Sequence, residues 1–208
     1  MEKTLKEQNR FKVSGFVTAN ICFYILVIQS NAIFSEGWFE SLQNLYSMAP
    51  AGVAAIIAGL LNSQIDPQNK AKIAFLRWSN PLPGSRAFSK YGKADPRVDL
   101  EVLETKYGAL PQDPQSQNKL WYKLYQANSD ENSVVDAHRE FLLYRDMASL
   151  GLIFLVIFSI AAKVFLSSFE VYCTFLLLML IQLLVLINAA RHHGARFVTN
   201  VLALESVS

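Results

Sequence analysis

The sequence predicts an all-α polytopic membrane protein with four transmembrane helices and a helical cytoplasmic insert between helices 2 and 3. Three observations predict it. Charged side chains vanish from four long apolar windows, one long polar stretch separates the second window from the third, and the basic residues gather on one side. The 208 residues are 52% hydrophobic and 17% charged, with a mean hydropathy of +0.22. For a chain this size the apolar content is high, and its uneven distribution excludes an ordinary soluble domain. A net charge of +2 provides no global basic field for nucleic acid. The chain divides into an N-terminal arm with helices 1 and 2 (1–64), the insert (65–146), and helices 3 and 4 with a tail (147–208).

The first window runs from Val13 to Phe34, the second lies between Glu40 and Asp66, the third spans Met147–Ala162, and the fourth spans Val171–Ala190. At 1.5 Å per residue, about 20 helical residues cross a hydrocarbon core of roughly 30 Å. The third window is the shortest, but Lys163 can snorkel and Val164 to Leu166 extend its apolar run. No window alternates with the period of a barrel strand, so helices are the solution expected. The first window has the basic start of a signal peptide and a loose cleavage-like Ser30-Asn31-Ala32. Its apolar run is longer than a usual signal core, which favours a retained helix.

Orientation follows from the positive-inside rule. Of the 19 Lys and Arg residues, all except Lys163 fall in the arm, the insert or the tail, which four spans place on one side. Both termini are therefore expected in the cytoplasm, with Trp38, Phe39 and Tyr46 at the outer interface. Cys22 and Cys173 fall inside apolar windows, where buried thiols are expected rather than a disulfide.

The insert reads as an irregular start followed by three short helices. Two prolines and a glycine in Trp78–Ser85 predict an extended or turning segment. Asp95-Pro96, with Asp99 and Glu101 behind it and Gly108 beyond, predicts a helix over 96–107. Asp113-Pro114 repeats the starting signal and places Leu120, Trp121, Leu124 and Tyr125 on one face. A third helix starting near Asp130–Ser133 runs without a breaker into the third span, with Val134, His138, Phe141 and Arg145 recurring along it.

No catalytic residue, metal ligand set or cofactor motif stands out. The Walker loop, the dinucleotide fingerprint, the Gly-x-Ser-x-Gly elbow and the zinc-binding His-Glu-x-x-His are all missing from the sequence. His138 with Asp136 and Glu140 is the one candidate acid–base group, and a solvated helix surface is its plainer reading. His192 and His193, beside Arg191, suit lipid headgroups and a helix C-terminus better than a metal. Within the windows there is no Asp, Glu, Lys or Arg, which argues against ion-coupled transport. The polar residues there include Asn20, Gln29, Asn31, Asn44, Gln182 and Asn188. Asn20 and Gln182 stand about 10 and 12 Å from the cytoplasmic end at 1.5 Å per residue. They form either an interhelical hydrogen bond of about 1 kcal/mol or a polar rung in a pore. Ala51, Ala55 and Gly59 make a small-residue stripe on the second span, suited to a neighbouring helix or a second subunit, and Pro50 is a candidate kink.

Several blocks carry a resemblance: Leu82-Pro83-Gly84-Ser85-Arg86-Ala87-Phe88, Asp95-Pro96-Arg97, Gln117-Asn118 with Trp121-Tyr122, and Phe141-Leu142-Leu143-Tyr144-Arg145-Asp146. Together they resemble uncharacterised four-span bacterial membrane proteins of antiphage defence systems, of the Kiwa membrane-subunit or retron-associated membrane-effector type. The resemblance covers about a third of the chain. It implies an inner-membrane, non-enzymatic sensor or effector coupled to a cytosolic protein partner; a homo-oligomer is expected separately, because four short spans leave little interior for a private pathway. The aromatic face of Trp121, Tyr122 and Tyr125 is the candidate partner surface, and packing on the neighbouring insert helices is the alternative. A small oligomeric channel is the second functional reading, and an enzyme using His138 is the third.

Overall fold

The computed structural model describes residues 4–29, 49–166 and 168–207, with side chains described from residue 52 onward in the second of these segments. Seven α-helices appear among the described residues: α1 (Leu5–Ile28), α2 (Ala49–Gln64), α3 (Pro67–Phe75), α4 (Leu100–Tyr107), α5 (Pro114–Ala127), α6 (Asn132–Phe165) and α7 (Phe169–Val207). Among them α1, α6 and α7 are long and apolar enough to cross a membrane, while α2 is apolar but shorter, at 16 residues. The protein is thus an all-α, multi-pass membrane protein. Trp38, Phe39, Tyr46, Asn31 and Asn44 lie outside the described residues.

An antiparallel pair, α6 and α7, forms the trunk. At 34 and 39 residues these helices are about 51 and 58 Å long. Each exceeds what a bilayer needs, and each continues unbroken into the polar body. Three cores stack along the trunk. In the apolar layer, α1 brings Tyr24 and α2 brings Ala58 against Leu150, Phe154, Phe158, Phe175 and Met179. Aromatic stacking sets the contact: Tyr24 lies 4.7 Å from Phe158, and Phe154 lies 5.0 Å from Phe158. A small middle core of Ala148, Leu183, Leu186 and Ile187 joins this layer to the body. The body's own core gathers Phe75, Phe88, Leu103, Trp121, Leu124 and Phe141 around Phe197, Val198, Val201 and Leu202 of α7.

The outer faces of the spans remain apolar. Ile56 and Leu60 of α2, Val156 and Ile160 of α6, and Leu177, Leu184 and Val185 of α7 are all exposed. A continuous apolar surface of this kind is stable in lipid and costly in water. Cys22 and Cys173 are free and lie on that outer surface rather than inside the protein. A window that is apolar all round does not reveal which of its faces is covered by other helices.

In the body, one of the two Asp-Pro starting signals acts as the sequence suggests and the other does not. Asp113 caps α5 by accepting from Ser116 N, with Pro114 in the first turn. The helix expected over 96–107 begins only at Leu100. Asp95 is bound instead by Arg97, through its backbone N–H at 3.1 Å and its guanidinium at 3.0 and 2.7 Å, and this holds a turn. Asp99 then caps α4 through Glu101 N and Val102 N. The start of the insert is not irregular, because Asp66-Pro67 opens α3, with Asp66 accepting from Asn69 N at 2.8 Å. Pro83–Arg86 closes a 3₁₀ turn that leads directly into a π-turn over Ala87–Gly92.

Candidate functional site: the charged junction between spans and body

Where α2 meets α3, the chain leaves the apolar layer and turns under α6. Lys70 on α3 faces Arg145 and Asp146 on α6, immediately before the apolar run that begins at Met147. Asp146 Oδ1 accepts from Arg145 Nε at 3.1 Å and Nη2 at 2.9 Å, and Lys70 Nζ stands 3.4 Å away. Lys70 and Arg145 are each only 5% exposed. Two buried cations therefore share one carboxylate, and burial pulls the Lys70 ammonium below its ordinary pKa despite the attraction of Asp146. Burying unbalanced charge is expensive unless a partner or solvent-filled space receives it. A cavity of about 390 Å³ opens beside this cluster, lined by Lys6, Asn62, Asp66, Lys70, Arg145 and Asp146 among others. On the other side of the α2–α3 corner lies an apolar groove of about 820 Å³ between Leu61, Ile73, Leu76 and Trp78 and the trunk residues Leu152 and Leu183.

A second basic group lies at the same level. Arg191, just past the apolar run of α7, donates to Ala74 O at 3.1 Å and Phe75 O at 3.0 Å, satisfying the C-terminus of α3. Arg86 sits over Phe75 at 5.6 Å and Tyr91 at 5.3 Å, and its Nε and Nη2 find no partner among the described residues.

The candidate partner face divides. Trp121 is 6% exposed, seated on Gly84 and edge-on to Phe197 at 5.1 Å, while Tyr122 is 51% exposed. Tyr125 is partly covered, stacking on Trp121 at 5.8 Å and touching His138 Nδ1 through its hydroxyl at 3.2 Å. Trp121 thus packs within the body, and Tyr122 is the ring left at the surface.

His138 lies flat on Phe197 with ring centroids 4.5 Å apart. It stands two turns before the apolar run, in the body, and burial pushes its pKa down to about 4. Asp136 pairs with Arg139 at 2.9 Å, and Glu140 pairs with Lys12 of α1 at 3.0 Å. The would-be acid–base trio is therefore dispersed. His193 stacks on Tyr144 at 4.5 Å, and His192 lines a separate cavity with Arg97 and Arg196. Among the described residues no group of three His, Cys, Asp or Glu side chains gathers to hold a metal.

The Asn20 and Gln182 side chains are not hydrogen-bonded to each other. Asn20 is 1% exposed and donates to Phe16 O at 2.9 Å on its own helix. Asn20 Oδ1 and Gln182 Oε1 have no hydrogen-bond partner among the described residues. On α2, Ala58 is the residue buried against the trunk. Ala55 is half-buried, Gly59 looks into open space, and the Ala51 side chain lies outside the described residues.

The blocks that carry the sequence resemblance meet at the packing nodes of the body. Gln117 is fully buried, and its Oε1 accepts from Phe88 N, Ser89 N and Ser89 Oγ at 3.2, 3.1 and 3.0 Å. Asp95-Arg97 is tied to α7 through Thr199 Oγ1 at 3.3 Å. The tail, which no sequence motif marks, also holds the body: Asn200 donates to Ser133 O at 2.9 Å, and Glu205 accepts from Tyr107 at 2.5 Å and Asn128 at 2.9 Å. The helical spacing of Phe197, Val198, Val201 and Leu202 was the signal for it. No family model, curated protein or solved structure matches the chain.

Proposed function

We propose that the protein is a four-span component of a bacterial inner membrane, with both termini and the body in the cytoplasm and no enzyme activity of its own. In this reading it couples a cytosolic protein partner or signal to the bilayer, as a homo-oligomeric sensor or effector of an antiphage defence system. The observation that carries the coupling is the trunk. α6 and α7 pass from the apolar layer into the body without a break, and the body core is built on the same two helices. A partner that displaces the body must move two spans with it. The defence setting rests on the sequence resemblance alone.

Co-purification of the tagged full chain from its host in mild detergent, with stoichiometry, tests the reading. A stoichiometric cytosolic protein, lost on Tyr122→Ala while the melting temperature holds, is the expected result. A monomer with nothing attached overturns both partner and oligomer. Reporter fusions at residue 38, within the insert and at both termini test the four-span orientation; a periplasmic C-terminus sinks it.

The unpartnered Asn20 Oδ1 and Gln182 Oε1 in the apolar layer favour one second reading, a small oligomeric channel that turns these amides toward a shared axis. Ion flux in liposomes that disappears with Gln182→Leu would support it.

A further inference from the structure

The Lys70–Arg145 cavity has the composition of an anion site. Its cations come from three elements: Lys6 from α1, Lys70 from α3 and Arg145 from α6. The acids facing it are Asp66 and Asp146. Asp66 is engaged at the α3 N-terminus with Asn69 N at 2.8 Å and Asn69 Nδ2 at 2.5 Å. Asp146 is shared between two cations through one oxygen. One positive charge is left over, at a place where Lys70 and Arg145 are nine-tenths buried and solvent is scarce. Asn62, on the same wall, holds its Oδ1 buried without a partner among the described residues, ready for a hydroxyl donor.

The position of the cavity indicates the source of the anion. Gly59, Asn62 and Ser63 are the last turns of the apolar helix α2, Asp146 precedes the apolar run of α6, and Lys6 precedes that of α1. The cavity therefore lies at the depth of the lipid headgroups on the body's side, where phosphate is the abundant anion. We propose that this cavity binds a phosphate-bearing anion, supplied by the headgroup of an acidic phospholipid of the adjoining leaflet. Arg145 and Lys70 donate to the phosphate oxygens, and Lys6 closes the mouth. The site needs only that the spans cross a bilayer, and so stands apart from the partner-coupling reading.

The test is lipid retention by the delipidated full chain in detergent, read by native mass spectrometry with phosphatidylglycerol and phosphatidylcholine in turn. Phosphatidylglycerol should be held about tenfold more tightly, because phosphatidylcholine brings the same phosphate together with a quaternary ammonium that meets the surplus positive charge of the site. Lys70→Gln should abolish the preference and Asp146→Asn should strengthen it. A purely structural salt bridge would not move affinity in opposite directions. Millimolar inorganic phosphate should leave the lipid in place. If phosphate displaces the lipid and itself raises the melting temperature, the anion site stands but its lipid source is overturned. Equal retention of both lipids by wild type and both variants overturns the site. Should a variant fail to fold, the lipid comparison and the phosphate competition on the wild type decide alone.

Discussion

Gly84 has no room for a side chain. A Cβ there would stand 2.4 Å from Trp121 Cε3 and 2.6 Å from Asn118 Oδ1, inside a turn that is itself buried. Gly84→Ala must push the indole off its seat on Phe197, and overpacking of this kind costs about 1–3 kcal/mol. A lowered melting temperature, with the apolar layer intact by protease protection, is the expected outcome; an unchanged one would mean that the turn can slide. His138 gives a second test at this scale. Its folded pKa of about 4 lies below the ordinary value of 6.5, so the fold favours the neutral ring. The charge that acts on it is Arg145, two turns further along α6, which also disfavours the protonated ring. Stability from this site is complete above about pH 6.5, declines as pH falls through the window below it, and is gone below about pH 4. Melting at about pH 7 and about pH 4.5 should therefore separate wild type from His138→Phe, with wild type losing more on acidification. Equal losses would assign the acid sensitivity elsewhere. The sequence showed Trp121 and His138 on helical faces. It did not show that Phe197, far along the chain, is what both of them pack against.

The Asp-Pro pairs show what an element's local sequence decides. Three occur, at 66–67, 95–96 and 113–114, and the outer two open helices at the proline. At the middle pair, Arg97 occupies the Asp95 carboxylate and holds it well below the usual carboxylate range. The helix start passes to Asp99, four residues on. The competing partner is itself two residues away, so the sequence contained the cause but not the outcome. Asp99→Ala removes the cap of an eight-residue helix and should cost about 0.5–2 kcal/mol. Amide exchange should speed up across α4 and leave α5 unchanged. Uniform protection in the variant would show that packing of Leu103, rather than the cap, holds this element. The apolar windows were legible because charge exclusion is a strong signal. The covered face of α2 was not: Ala51, Ala55 and Gly59 form the obvious stripe, yet Ala58 is what the trunk buries.

For the whole molecule, the polar stretch that follows α2 packs on a spine that lies far from it in sequence. The final helix supplies Phe197, Val198, Val201 and Leu202 to the body core, and Glu205 ties it to α4 and α5. A chain ending after Ala190 should keep its membrane insertion and lose the body. Limited proteolysis should then cut throughout 66–130, where the full chain resists. Resistance in the shortened protein would show that the insert folds alone. The basic residues of the tail drew attention to lipid, and its apolar residues, at helical spacing, carried the fold.

The unbroken trunk also fixes an angle. Each residue of an α-helix turns the chain by about 100°, so one residue inserted between Asp146 and Met147 would rotate the body end of α6 by that much against its membrane end. α7, packed along α6 in both layers, would keep its old bearing. The two layers could then no longer be satisfied at once. Seven added residues, about two full turns, would restore the bearing while displacing the body outward by about 10 Å. The body's azimuth over the membrane is thus keyed to the spans, like a rotor keyed to its shaft.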